Sequence, residues 1–456
     1  MGHGVDKMRL VHWKCIAITR LILVLNIGVL PSCSCTTIAF QFPKIKFVGI
    51  SAKEDSSAPQ ILVQNGPEDA ENLRRRLETH CDVLDQESSS SIRGEVSIST
   101  PNDLSFRWEP HLRESYEVAD VTFQEIARVL RDSHACEEKI NNNGSKSSSH
   151  MLFLSFPSMS RPEDLVRLSD VLNSDKCKQL LGLKDAFAEL YPSSPAPYLR
   201  ITLSACNIDG EAISEKTASS GDIAISATKD WVNSFLGKYR LCPYTSSVSR
   251  AAVGLSSVGV PVGEVHLQLG GTNREMIDKR SYNRLMAADL ASAFWSEVVF
   301  LIQSSQEEFA TSLVVFPEYD SEFESFVEIC DSIVEPTVVA TKSTDIIGRA
   351  WFHPQYDADA VGHSEVIAGH AVPHNMVDGF MKSLDDASLL RYDALVAANN
   401  RVRRTPHATI NILRRSQLTA AGEYEKGLGK KRPKANSIYV RNAVRLSKAI
   451  NSNNAL

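Results

Sequence analysis

Ser312-Leu-Val-Val-Phe-Pro317 is a short apolar, β-branched run halted by a proline, and Leu152-Phe-Leu-Ser-Phe-Pro157 has the same form 160 positions earlier. Such a run is a buried strand, because Pro lacks the N–H that a ladder needs and ends the pairing. Helical spacing follows each one. Phe326, Val327, Ile329, Asp331 and Ile333 match Leu165, Val166, Leu168, Asp170 and Leu172 at a separation of 161. Strand then helix, written twice, predicts a duplicated α/β architecture.

Working outward, Trp231, Val232, Phe235, Leu236 and Tyr239 recur at helical spacing after Thr228, read as an N-cap with Asp230 in the first turn. The alternation over 265–269 reads as a strand, and Met286, Leu290, Phe294, Val298 and Leu301 trace one face of a long helix. Two further strands are expected over 346–352 and 408–413. Ser194-Pro-Ala-Pro-Tyr-Leu-Arg-Ile-Thr-Leu203 resembles Thr405-Pro-His-Ala-Thr-Ile-Asn-Ile-Leu413, and Cys81 after 72–79 matches Cys242. The expected fold class is therefore α/β: two tandem, duplicated small α/β sandwiches with mostly parallel sheets. Their bounds are 60–212 for a degenerate first copy and 222–416 for the second, with an insertion over 357–403. Inserts of that length in compact domains tend to be lids or partner surfaces.

The chain of 456 residues is 43% hydrophobic and carries a net charge of −6. It can bury real cores, and a mildly acidic balance argues against a general nucleic-acid coat. No apolar run approaches the roughly 20 residues of a bilayer span, so a soluble mature protein is expected. The nine cysteines are scattered without a C-x-x-C pair, which excludes a written zinc site or a dense disulfide framework.

Residues 1–39 read as a signal peptide: Lys7, Arg9, Lys14 and Arg20 precede an apolar run over 21–30, and Ala39 offers a cleavage point. Cleavage there leaves Phe40-Gln-Phe-Pro43 and a transit-like linker over 40–59, resembling the bipartite leaders of algae with secondary plastids. Plastid targeting is the reading, with secretion or the endomembrane lumen as the alternative. From residue 423 the tail carries Lys426, Lys430, Lys431, Arg432, Lys434, Arg441, Arg445 and Lys448, a solvated segment or a contact for a polyanion such as RNA.

Four segments together carry a family resemblance: Trp231…Leu241-Cys-Pro-Tyr244, Leu313-Val-Val-Phe-Pro317, Trp351-Phe-His-Pro-Gln-Tyr356 and Arg404-Thr-Pro-His-Ala-Thr-Ile-Asn-Ile-Leu-Arg414. The chain resembles a family of small bacterial and algal proteins known only as a domain of unknown function, number one-four-one-five. The resemblance covers about 222–416 and implies a fold, with no activity attached to it. Ala408 and Asn411 depart from its proline and histidine.

Cys242 and His353 are the candidate nucleophile and base, since a thiol needs a nearby imidazole or cation to ionise near neutral pH. Against this, Cys242 follows the C-terminus of a predicted helix, whose partial negative charge disfavours a thiolate. A packed structural Cys242 is the competing reading. Tyr356, Arg404 and Thr405 are candidate substrate-binding residues, because ligands of α/β sheets lie beyond the carboxyl ends of strands. Pro317 and Glu318 share that position. His353, Asp357, His363, His370 and His374 are the densest group of ligand-type residues, yet no H-E-x-x-H spacing occurs and no metal is assigned. With no phosphate loop, no G-x-S-x-G and no dinucleotide fingerprint, the cofactor is unknown. The expected function is a small-molecule hydrolase or transferase with a Cys/His site in the second copy. The alternative is a non-catalytic binding or assembly protein using the insertion and basic tail.

Overall fold

The computed structural model describes residues 104–109, 111–140, 149–190, 197–204, 221–237, 241–242, 244–271, 279–357 and 400–429. The leader, the linker, Cys81, most of the insertion, and His363, His370 and His374 lie outside them. All described elements belong to one compact unit, Gln64–Leu456.

The first half runs β1 (Leu104–Trp108), α1 (Ser115–Ile140), β2 (His150–Ser155), α2 (Glu163–Leu172), α3 (Asp175–Leu181), β3 (Leu183–Glu189) and β4 (Tyr198–Leu203). The second runs α4 (Gly221–Asp230), a π-helical turn Trp231–Gly237, β5 (Glu264–Leu269), α5 (Lys279–Gln303), β6 (Phe309–Phe316), α6 (Phe323–Ile329), a π-helical turn Cys330–Val334, α7 (Glu335–Ala340), β7 (Ile347–Phe352), β8 (Ala408–Arg414) and α8 (Arg415–Gly429). The four strands of each half form one sheet, in the orders β1-β2-β4-β3 and β5-β6-β8-β7.

The expectation of mostly parallel sheets is corrected. In each sheet only the first pair is parallel, while the other two pairs are antiparallel, so both sheets are mixed. Between β3 and β4 connection length is the cause. A parallel crossover needs roughly a dozen residues or more, usually a helix, and residues 190–197 between β3 and β4 are too few. The two strands pair antiparallel instead. Between β7 and β8 the connection is long, residues 353–407, and the strands are antiparallel all the same, so length does not decide the direction there.

Local chemistry sets the element ends. Ser174 Oγ accepts from the Cys177 amide at 3.3 Å to start α3, and Gly182, at φ +68°, ends it by donating to Lys178 O. Thr228 is not the N-cap expected of it. It lies inside α4, where its hydroxyl donates to the Ala224 carbonyl at 2.9 Å, a back-bond to i−4 that keeps a buried Thr satisfied.

Helices of both halves meet in a single core. Leu152, Leu154, Phe156, Leu165 and Leu168 from one side join Phe294, Trp295, Val298, Phe326 and Ile333 from the other. Helix α1 packs along α5, pinned by Asp120, which accepts from Ser296 Oγ at 2.7 Å and from Gln124. Arg167 donates to Ala340 O at 3.0 Å and ties α2 to α7. Over Tyr282–Gln303, helix α5 is long and apolar enough to cross a membrane, with a mean hydropathy of 1.6. That corrects the expectation of no such run, and its cause is internal: Ala287, Ala288, Leu290, Ala291, Phe294 and Trp295 are buried in the shared core.

The opposite face of the second sheet is covered by the Trp231–Gly237 turn and by α8, giving a second apolar cluster with Leu313, Ala350 and Phe352. Tyr424 packs there, so the segment expected as a tail from 423 begins inside a helix seated on the sheet. Buried on both faces, β6 reads as a continuous apolar run.

Candidate functional site

Because β5, β6 and β7 run in one direction and β8 runs against them, the ends of the first three and the start of β8 share one rim of the sheet. Phe316 pairs with Ala408 at that rim. The turn Pro317–Tyr319 and Asp320 therefore face Arg404, Thr405, Pro406 and His407.

His353 follows β7 and is fully buried. Its Nδ1 accepts from the Gln355 amide at 3.0 Å, so Nε2 carries the proton and donates to Tyr319 O at 2.7 Å. Phe323 and Phe326 flank the ring, with centroids 4.9 and 5.6 Å away. Burial pushes its pKa below the ordinary 6.5, against the raising effect of the Tyr319 carbonyl. A neutral imidazole with both nitrogens engaged by backbone is a structural clasp.

Tyr356 is buried against Phe323. The Arg403 guanidinium lies 5.0 Å from the Tyr356 ring centroid, donating to Tyr356 OH at 3.4 Å and to Trp351 O at 3.3 Å. Arg404 Nε donates to Tyr356 O at 3.1 Å. Thr405 is buried, and its hydroxyl donates to His407 O. The structure thus gathers His353, Tyr356, Arg404 and Thr405 at one rim.

Cys242 is placed elsewhere. Its half-buried thiol belongs to the apolar cluster on the opposite face, and it shares no hydrogen bond or ring contact with His353. Burial raises its pKa, opposed in part by hydrogen bonds from Tyr244 and Thr245. Among the described residues no three His, Cys, Asp or Glu side chains gather to hold a metal.

Sequence reasoning missed the pair that the rim assembles best. His407 Nδ1 lies 2.6 Å from Asp320 Oδ2, while Asp320 Oδ1 accepts from the Ala408 amide at 2.9 Å. A carboxylate fixed by a main-chain N–H holds the ring in the Nδ1–H tautomer and leaves the Nε2 lone pair without a partner among the described residues. That arrangement suits a general base. The available signals were the Asp three residues after a strand-ending proline and a His inside the Arg404–Arg414 motif.

A second carboxylate–imidazole pair, His266 Nδ1 to Glu297 at 2.6 Å, joins β5 to α5. Glu297 also accepts from the fully buried Ser312 hydroxyl, and Phe300 and Phe309 cover the imidazole. It is an interior strut.

Residues 270–367 match a family described as a protein of unknown function, DUF1415. No curated protein matches the chain. No solved structure matches it.

Proposed function

From a chain whose residues 270–367 match the DUF1415 family of unknown function, we propose a small-molecule enzyme, a hydrolase or transferase, whose acid–base group is His407. The observation that carries this is the 2.6 Å contact of His407 Nδ1 with Asp320 at the carboxyl ends of the strands. In this reading Nε2 takes the proton of a water or hydroxyl as its oxygen attacks an acyl or phosphoryl centre. The same proton then passes to the leaving group, and Asp320 stabilises the imidazolium between the two events. Cys242 and His353 fit the role less well, the first with a thiol pKa raised by burial, the second with both ring nitrogens occupied. Tyr356 and Thr405 shape the rim.

The test is a panel of ester, thioester and phosphoester model substrates run on the full chain, wild type beside His407→Gln. Turnover that falls at least a hundredfold in the variant, about the scale of a lost general base, supports the reading. No turnover by either protein would move the preference to a binding or assembly protein acting through the insertion and basic tail.

The finer architecture belongs to the same proposal. We infer one ancestral unit, duplicated, because the pairings of the two sheets correspond through the sequence separations themselves. Leu152 pairs with Ile201 as Ser312 pairs with Ile412, and Phe106 with Phe153 as Leu267 with Leu313. By the same sequence separations Ser160 and Ala196 align with Asp320 and His407. The first half is then a support lacking the pair. Plastid residence, resting on the leader and the Phe40 start, is part of the same reading, and a reporter fused to residues 1–60 that stays in the secretory pathway overturns it.

A further inference from the structure

Two arginines at the rim have no ion-pair partner among the described residues. Arg401 and Arg404 are each half-buried, and no carboxylate pairs with either among the described residues. They are held close by the backbone: the Arg404 amide donates to Arg401 O at 3.3 Å, and Arg401 Nη1 donates to Arg404 O at 3.4 Å. The Arg401 guanidinium lies 4.9 Å from the Phe235 ring centroid, and Arg404 Nε is anchored on Tyr356 O, so both heads are fixed by packing. Burial and then the neighbouring charge of Arg404 pull the Arg401 pKa below its ordinary value. Surface arginines relieve such repulsion by swinging apart or finding an acid. Of the acids on the rim, Asp320 is occupied by His407 and the Ala408 amide, and Asp357 accepts from Asn400 Nδ2 at 3.1 Å.

We propose that Arg401 and Arg404 form an anion-binding pair that takes the phosphate dianion of a small phosphorylated molecule. The class follows from charge and shape: two positive heads with no paired acid among the described residues match a dianion, and guanidinium groups bind phosphate oxygens in a fork that an ammonium cannot reproduce. The pair lies three and six residues before His407 on the approach to β8, so a phosphate bound there positions the rest of the molecule toward the imidazole. This deepens the enzyme reading and rests on it for that last step alone.

The experiment is a thermal-shift titration of the full chain with inorganic phosphate against sodium chloride at matched ionic strength. Wild type is expected to gain stability saturably with phosphate, and Arg401→Gln/Arg404→Gln to lose that gain. Arg401→Lys/Arg404→Lys, which keeps both charges, is expected to bind about tenfold more weakly. It serves as the informative variant should the double Gln protein fold poorly. An equal gain in the double Gln variant, no gain in wild type, or an equal gain with acetate would overturn the assignment. His407→Gln separates the two proposals. It is expected to keep the phosphate gain, so failure of the substrate panel beside an Arg-dependent phosphate response removes the base and leaves the anion site.

Discussion

The imidazole of His353 donates to the carbonyl of Tyr319 across 2.7 Å, joining the end of β7 to the turn that closes β6. Replacing it with Ala opens a cavity and leaves that buried carbonyl unpaired, so His353→Ala is expected to cost about 2–4 kcal/mol in urea unfolding. The effect has a pH sign. Burial places the folded pKa below the unfolded 6.5, so between the two values the unfolded chain binds more protons. The contribution of His353 is complete above 6.5 and is lost as pH falls toward the folded value. The difference between wild type and His353→Ala should therefore shrink from pH 7.5 to 5.5. A difference that grows on acidification contradicts the buried neutral ring.

The tautomer of His407 can be read without a substrate. Long-range nitrogen–proton spectra of the labelled protein are expected to show Nδ1 protonated in wild type. In Asp320→Ala, which removes the acceptor at 2.6 Å, the tautomers should mix or invert. On any substrate the panel yields, Asp320→Asn is expected to lower turnover by about 10²–10⁴ while the melting temperature moves little, because a mis-set tautomer disables a base without emptying a core. Equal turnover in Asp320→Asn would remove the pair from the chemistry.

Cysteine reactivity gives an independent reading. Burial raises the Cys177 thiol to about 12 and lifts that of Cys242, while Cys330 is sealed in the core. Because the thiolate is the nucleophile, all three should label slowly with iodoacetamide at pH 7.5 in the folded protein and fully in denaturant. Peptide mass mapping distinguishes them from the other cysteines. Rapid labelling of Cys242 in the native state would restore it as a candidate nucleophile.

Much of this architecture was legible because it is local. The run ending at Pro317 is a strand in any fold, and the spacing of Phe326, Ile329 and Ile333 buries one helix face wherever it packs. Strand direction was less legible: residues 190–197 are too few for a crossover helix, whereas residues 353–407 are enough for one and β7 and β8 are antiparallel all the same. The apolar stretch of α5 was underestimated because Arg284, Asp289 and Glu297 break the run in sequence, yet each is buried within the protein. The rim pair was hidden for a different reason. Asp320 and His407 lie far apart in the chain, and only the register that sets Phe316 opposite Ala408 brings them to 2.6 Å. His353 stood out in its Phe-His-Pro-x-Tyr turn, but a motif names a residue type and says nothing of what occupies its nitrogens.

The Gly270-Gly271 turn after β5 tests the rim from its other side. Gly271 has φ +101°, a conformation that L residues rarely adopt, and a Cβ there would meet the Glu318 carboxylate at 2.7–2.8 Å. Gly259 supplies the control, with φ +83° and nothing within 4 Å of the added Cβ. Gly259→Ala should show the cost of the dihedral alone, about 1 kcal/mol, whereas Gly271→Ala also displaces the Glu318 carboxylate, the far end of a flexible side chain, and should cost slightly more, about 1–2 kcal/mol. Glu318 leads directly into Tyr319 and Asp320, so the displacement should also disturb the pair it precedes. Gly271→Ala is therefore expected to lower turnover as well as stability, and Gly259→Ala to lower stability alone. Parallel urea titrations and turnover measurements on both variants check this. Equal losses of stability in the two, with turnover untouched in Gly271→Ala, would show that the Gly271 turn and the rim are independent.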